Sequence, residues 1–316
     1  MLLGSTNSVR RNVLALAIAA PWLIVVLVRL LGVDRIWPLV PLVAFTPQTL
    51  LTLLVPLVVA LVLRAKWSVA IVGAAMISLA FVIAPRLITN DQPAASGKTL
   101  RILTANLLHG DASPAPLVAA IRSSRADVIA LQEASLNNIA ELRAAGILKT
   151  HPYVQEHSAD GMFANFTVSR KPLAMLPNAD DSAESREWPG MRIGGTGVTF
   201  YNFHSRSPVT PSRESEWRAG LTQLPASNGE LRVIAGDFNA TLDHHYFRKV
   251  LASGYRDSAD ETGNGLKWTW SVSRMTRLVI DHVLAPPSVA VRSYRVYDLP
   301  GSDHNAVAVT LRLPVD

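Results

Sequence analysis

The 316-residue chain contains no cysteine. Disulfides, thiolate metal sites and cysteine nucleophiles are therefore excluded. Charge is missing from three long apolar runs near the N-terminus, Val13 to Val28, Ile36 to Leu63 and Trp67 to Pro85. A basic excess is missing from everything that follows. Eight of the 30 basic and two of the 24 acidic residues precede residue 99, and they account for the whole net charge of +6. The remainder is formally neutral, whereas a dedicated duplex-DNA binder usually carries a cationic surplus. That remainder also lacks internal repeats and low-complexity tracts.

The apolar runs, with their flanks, approach the roughly 20 residues that a spanning helix needs. Trp37 and Trp67 lie at run edges, where interfacial aromatics belong. Pro41, Pro47 and Pro56 predict kinks in the second run. Small residues from Ala17 to Ala20 would also suit a cleaved leader, but two further runs follow, which favours an anchor. Arg10 and Arg11 precede the first run, and Arg64 and Lys66 lie between the second and third. The positive-inside rule puts those basic ends in the cytoplasm. Three spans then leave the rest of the chain outside a plasma membrane, although Arg86 runs against that orientation. The expected organisation is a transmembrane anchor over 1–89, a Pro/Ala/Ser-containing linker over 90–98 and one large domain over 99–316.

In that domain, Leu100 to Ala105, Val128 to Leu131, Val198 to Phe203, Leu231 to Ala235, Leu278 to Leu284 and Ala306 to Leu313 read as strands. Phe163 to Val168 is a further strand. Helices are expected over Ala115 to Arg122, Leu136 to Ala145, Glu214 to Leu224 and His244 to Ala252. Several strands follow one another without room for a helix. This predicts mixed sheets packed together under helices, an α/β architecture other than a doubly wound sheet.

Five strand ends carry polar groups that need a reason to be there: Asn106; Glu133; Asn202 and His204; Asp237 and Asn239; and Asp281 with Asp303-His304. The stretch Gly236-Asp237-Phe238-Asn239-Ala240 is the most informative. A carboxylate and a carboxamide two residues apart, just past a strand, can face one cleft. Asp237 suits metal binding or proton transfer, and Asn239 can hold an oxygen without adding charge.

The segments LTANLLHG, DVIALQEAS, YNFHSRSP, VIAGDFNA, WTWSVSRMTRLVIDHVLAP and GSDHNAVAV resemble, in order, the motif set of the endonuclease/exonuclease/phosphatase superfamily. The resemblance covers Thr99 to Pro314. It implies the DNase I-like four-layered α/β sandwich and Mg²⁺- or Mn²⁺-dependent hydrolysis of a phosphate ester, in a nucleic acid, a lipid headgroup or a small molecule. By the same resemblance Glu133 is the main metal carboxylate, Asn106 a neighbouring ligand or orienting amide, and Asp303 a second metal-side carboxylate. His304 binds the scissile phosphate or assists the attacking water, with Asp281 as its carboxylate partner. Asp237 and Asn239 orient water, and His204 contacts phosphate or protonates the leaving oxygen. Which histidine is the acid stays open.

Hard Mg²⁺ takes one or two carboxylates plus waters and substrate phosphate, which Glu133 and Asp303 can supply. The other histidines are expected at the surface or behind the site, with His109 the exception because it lies at the metal end, and with His244-His245 starting a helix. Trp268-Thr269-Trp270 is either cross-strand packing or a wall for substrate. Leu107-Leu108 stands where some relatives carry an extra polar group, which puts a second metal in doubt. A non-catalytic membrane scaffold is the alternative reading, but a scaffold has no reason to keep all of these residues together. A transporter is disfavoured, because no charged pair lies inside the apolar runs. Nothing calls for an obligate protein partner.

Overall fold

In the computed structural model, which describes residues 2–157, 164–176 and 188–315, twelve strands are named: β1 (Thr99–Asn106), β2 (Val128–Ala134), β3 (Tyr153–His157), β4 (Ala164–Ser169), β5 (Leu173–Met175), β6 (Met191–Ile193), β7 (Thr199–His204), β8 (Arg232–Asp237), β9 (Arg256–Asp257), β10 (Asp281–Ala285), β11 (Ala290–Tyr297) and β12 (Ala306–Arg312). Phe163, the expected first residue of β4, lies outside the described residues. Two six-stranded sheets form, in the orders β11-β12-β1-β2-β4-β3 and β5-β6-β7-β8-β10-β9. Each has one parallel pair at its centre, β1 with β2 and β7 with β8, flanked by antiparallel neighbours.

The central strands are buried along nearly their whole length, which explains their continuous Val, Ile, Leu and Ala runs. Between the sheets lies a core that includes Ile102, Val128, Phe200, Val233, Val283 and Val309. The helices Pro114–Ser124 and Leu136–Ala144 cover the outer face of the first sheet through Leu117, Ile121, Ile139 and Leu142. The helices Pro211–Gln223 and His245–Ala252 cover the second through Trp217, Leu221, Phe247 and Val250. The result is the expected four-layered, DNase I-like sandwich. Asn202 has a part the sequence did not separate from its neighbour His204. It is buried between the sheets, donates to the Phe166 carbonyl and accepts from Gln132 at 2.7 Å.

The N-terminal block consists of α1 (Leu2–Leu31), three short helices α2 (Leu39–Val43), α3 (Thr46–Thr52) and α4 (Leu54–Val62), and α5 (Lys66–Ile83). The second apolar run is thus broken into pieces rather than merely kinked, and Pro47 opens one of them. Two helices, Asn7–Leu31 and Lys66–Leu87, are long and apolar enough to cross a membrane, and Thr46–Val62 is a shorter apolar helical stretch. At one end of the block, Asn12 accepts from the backbone N–H of Trp67 and Ser68, which caps α5.

The other end of the block is docked on the sandwich. Val40 belongs to the same buried cluster as Trp217 and Phe238, and Leu266 packs into the cluster of α1, α3 and α5. Arg29 and Arg86 both reach Asp243. His244 is buried with Nε2 3.1 Å from the Val40 carbonyl, so it is not a surface group. The expected linker is also laid down: Asn90 and Gln92 bond to Glu261, and Gly97 N–H donates to the Leu313 carbonyl.

Candidate active site

Of the nine polar residues singled out in the sequence, eight meet at one end of the two sheets, and Asn202 is the exception. β1 and β2 bring Asn106 and Glu133, while β7, β8 and β10 bring His204, Asp237 and Asp281. Asn239 and Asp303-His304 follow in the adjoining loops. Parallel pairing sets His204 beside Asp237, and antiparallel pairing sets Asp281 on the other side of Asp237.

The backbone is specialised at these points. Gly236 lies at φ 149°, and a Cβ there would come within 1.8 Å of the Phe203 carbonyl oxygen, so close approach of β7 and β8 demands glycine. Glu133 has a φ of 49° and lies where the pairing of β2 with β4 loses register between Leu131 and Ala134. Such an irregularity re-aims a strand-end side chain. Asn239 also has a positive φ, 46°, and its own N–H donates to Asp237 Oδ1 at 2.8 Å. Non-glycine residues in this region carry strain that surrounding contacts must hold.

The side chains form a continuous chain of contacts. Asn106 Nδ2 donates to Glu133 Oε1 and Asp237 Oδ2, each at 3.1 Å. Asn239 Nδ2 donates to the same Asp237 oxygen at 3.1 Å. His304 Nε2 stands 3.7 Å from it, and His304 Nδ1 is 3.0 Å from Asp281 Oδ2. His204 Nε2 lies 3.5 Å from Glu133 and 3.8 Å from Asp237. Asp303 Oδ1 is 3.8 Å from His304 Nε2, and Asp303 Oδ2 accepts from the Trp270 indole at 2.7 Å.

Ser302 was not singled out in the sequence, and Thr269 and His109 were, without the contacts that give them a part here. Thr269 Oγ1 accepts from the backbone N–H of both Ile280 and Asp281. Ser302 Oγ accepts from the His304 N–H and donates to the Asn106 carbonyl. The His109 N–H donates to Glu133 Oε2. Threonine and tryptophan beside the Asp281 strand were visible, but only the fold shows that Thr269 holds the backbone at Asp281 and Trp270 the carboxylate of Asp303.

Electrostatics divides the two histidines. Burial pushes His304 down, but the carboxylates of Asp281, Asp237 and Asp303 outweigh it, and the ring is held well above its ordinary value. For His204 burial dominates over the Glu133 charge, and its pKa falls. Burial also drives Asp237 above the usual carboxylate range, with His304 opposing and Asp281 adding to the rise. Glu133 is lowered: burial raises it, but His204 and the Asn106 amide more than compensate.

These residues suit a divalent cation. Ligand atoms of Asp237, Asp281 and His304 lie within 4.8 Å of one another. Asp303 Oδ1 is a buried oxygen with no hydrogen-bond partner. Three carboxylates, Asp237, Asp281 and Asp303, surround the His304 ring and Glu133 lies beside His204, so acidic groups outnumber the imidazoles and the donors are mostly hard oxygens.

The model of the Endonuclease/Exonuclease/phosphatase family matches residues 103–304. An endonuclease/exonuclease/phosphatase from Bacteroides vulgatus superposes with a TM-score of 0.52 at 16% identity, over 68% of this chain and 99% of that one. A humanized D. rerio TDP2 gives 0.51 at 17% identity, over 67% and 98%. An endonuclease/exonuclease/phosphatase family protein from Bacteroides thetaiotaomicron gives 0.51 at 15% identity, over 70% and 100%. At such identities the likeness concerns the fold alone. No curated protein matches the sequence. The matched segment includes all eight residues of the candidate site, and the chain belongs to the endonuclease/exonuclease/phosphatase family.

Proposed function

We propose that the chain is a divalent-metal-dependent phosphoesterase, with residues 99–316 as its catalytic domain. The observation that carries this reading is the unbroken set of contacts from Glu133 through Asn106, Asp237 and His304 to Asp281. A set so dense in carboxylates is costly to assemble for stability alone.

Glu133 and Asp303, with the Asn106 amide, would hold Mg²⁺ or Mn²⁺. Such an ion, when bound, neutralises charge developing on the phosphate. The chain's own groups do the rest. Asp237, raised into a range where it can exchange a proton, takes one from the attacking water, and Asn239 and Asn106 fix the direction of its oxygens. His304, kept cationic by Asp281, lies where it can donate to a phosphoryl oxygen. The neutral ring of His204 is left to contact the phosphate from the β7 side.

We also propose that residues 1–89 anchor the protein in the plasma membrane, with 90–98 as the connection and the catalytic domain outside. Outward-facing Phe81 and Trp67 are 79% and 74% exposed, as lipid-facing side chains would be. Arg86, which runs against that orientation, and Arg29 at the end of α1 are both paired with Asp243 rather than left as loop charges.

The test is turnover of bis-p-nitrophenyl phosphate by purified full-length protein with Mg²⁺, compared with His304→Ala and Asp237→Asn. Unchanged turnover in either variant would defeat the role assignment. A C-terminal alkaline-phosphatase fusion should be active, and a silent fusion would reverse the orientation.

A further inference from the structure

Three of the strand-end loops that carry the candidate site also touch the N-terminal block. From His204 the chain runs to Val209, whose carbonyl accepts from the Trp37 indole at 3.1 Å. From Asp237 it runs six residues to Asp243, which is bound by Arg29 and Arg86. From Trp270, which bonds Asp303, it runs to Arg277, whose carbonyl accepts from Gln48 Nε2 at 2.6 Å. Six residues span at most about 20 Å, so Asp237 is within that distance of Asp243, which is bound to Arg29 near the end of α1 and to Arg86 just after α5. If those helices cross a bilayer, this is the depth of the headgroup layer.

The third loop has a shape of its own. Trp270 pairs with Leu278 across it, so residues 271–277 form the tip of a hairpin. Leu266, just before the hairpin, is inserted into the core of the helical block. At the tip, Val272 and Met275 are 66% and 71% exposed, with Arg274 between them. A single exposed apolar residue needs no explanation. Two of them flanking a cation, on a hairpin that starts at the site and leans on an apolar bundle, match what an interfacial contact with anionic lipid requires.

We infer that the hairpin tip 271–277 enters the headgroup layer of the membrane and that the substrate is a phosphate ester of a membrane lipid. The proposal rests on the phosphoesterase reading above and narrows its substrate class. Val272 and Met275 sit at the headgroup/acyl boundary, Arg274 pairs with lipid phosphate, and the lipid's ester bond is offered to a site held at that height by Arg29, Arg86 and Gln48. The neutral charge balance of the catalytic domain fits a substrate that arrives by lateral diffusion rather than by long-range attraction.

The experiment uses the full-length protein reconstituted in phosphatidylcholine vesicles containing phosphatidylglycerol and phosphatidic acid. The wild type is expected to release lipid phosphorus. The double variant Val272→Ser/Met275→Ser should lose about tenfold of that rate, less than full burial of both side chains would supply. Its turnover of bis-p-nitrophenyl phosphate should be unchanged. Equal loss on both substrates, no effect on lipid, or cleavage of a DNA oligonucleotide with lipid untouched would each overturn the inference. Failure of the wild type on every substrate would instead strike the phosphoesterase reading beneath it. A second readout is independent of turnover: the absence of native cysteine allows Met275→Cys to carry a single fluorophore. Quenching by brominated lipid is expected, and an unquenched dye would remove the hairpin from the membrane.

Discussion

Arg86 donates from Nη1 and Nη2 to the two carboxylate oxygens of Asp243, at 2.8 and 2.5 Å, across 157 residues of sequence. Arg29 adds a bond to Asp243 Oδ1 at 2.6 Å, and Arg248 donates to the Asp243 backbone carbonyl. Burial raises the Asp243 carboxyl, but the Arg86 and Arg29 interactions more than offset it, and its pKa falls below the ordinary value. This paired geometry joins the helical block to the loop that follows Asp237.

Removing one partner leaves the other charge buried and unpaired. Asp243→Ala is therefore expected to cost about 3–5 kcal/mol. Thermal unfolding of the full chain in detergent would measure it, and an unchanged midpoint would make the interface peripheral.

Gly236→Ala places a methyl group inside the Phe203 carbonyl contact. Backbone cannot yield as a flexible side chain does, so we expect about 3 kcal/mol or more of destabilisation. Loss of soluble, folded catalytic domain on expression is the readout, and a well-folded variant would refute the contact.

Asp281→Asn keeps shape and removes the charge that holds His304 in place. We expect turnover of bis-p-nitrophenyl phosphate to drop about 100-fold or more with the circular dichroism spectrum retained. Thr269→Val should act in the same direction but less severely, because it frees the backbone N–H groups of Ile280 and Asp281. A variant as active as the wild type would detach Asp281 from the reaction.

Exhaustive dialysis against EDTA is expected to stop turnover, and Mg²⁺ or Mn²⁺ to restore it. Glu133→Gln should demand a higher metal concentration for the same rate, since one of few hard anionic donors is lost. Full activity after chelation would exclude the metal-dependent mechanism.

His282 offers a pH test away from the substrate. Its Nδ1 lies 2.7 Å from Asp257, and its Nε2 faces the Ala240 carbonyl. Burial lowers its pKa, but the Asp257 charge and hydrogen bond outweigh this, so the folded value lies above 6.5. A raised histidine contributes its stability fully below its unfolded pKa and loses it as pH rises through the folded one. The stability gap between wild type and His282→Gln should be widest below pH 6.5 and narrow above it. A gap independent of pH would mean that the pair is held neutral.

Much of the sandwich was legible because its signals are local. The runs leading to Asn106, Glu133, His204, Asp237 and Asp281 are apolar stretches that end abruptly in polar groups, and a buried strand has to read that way. The gathering of those ends follows from the topology of a family that the motifs resemble. Asn202 shows the limit of such reading. Two residues before His204, it looks like a site residue, yet it points between the sheets and satisfies buried carbonyls.

By itself, the sequence determined that no cysteine chemistry occurs, that three uncharged runs precede a neutral domain, and which polar residues close its strands. Only the tertiary structure decided that His244 is buried under Val40, that Asp243 holds two arginines from the helical block, and that a hairpin tip beside Asp303 leans on that block. Composition and periodicity report what a residue does to its near neighbours. These contacts join positions up to 229 residues apart, and nothing in a local pattern specifies which distant surface will cover a given side chain.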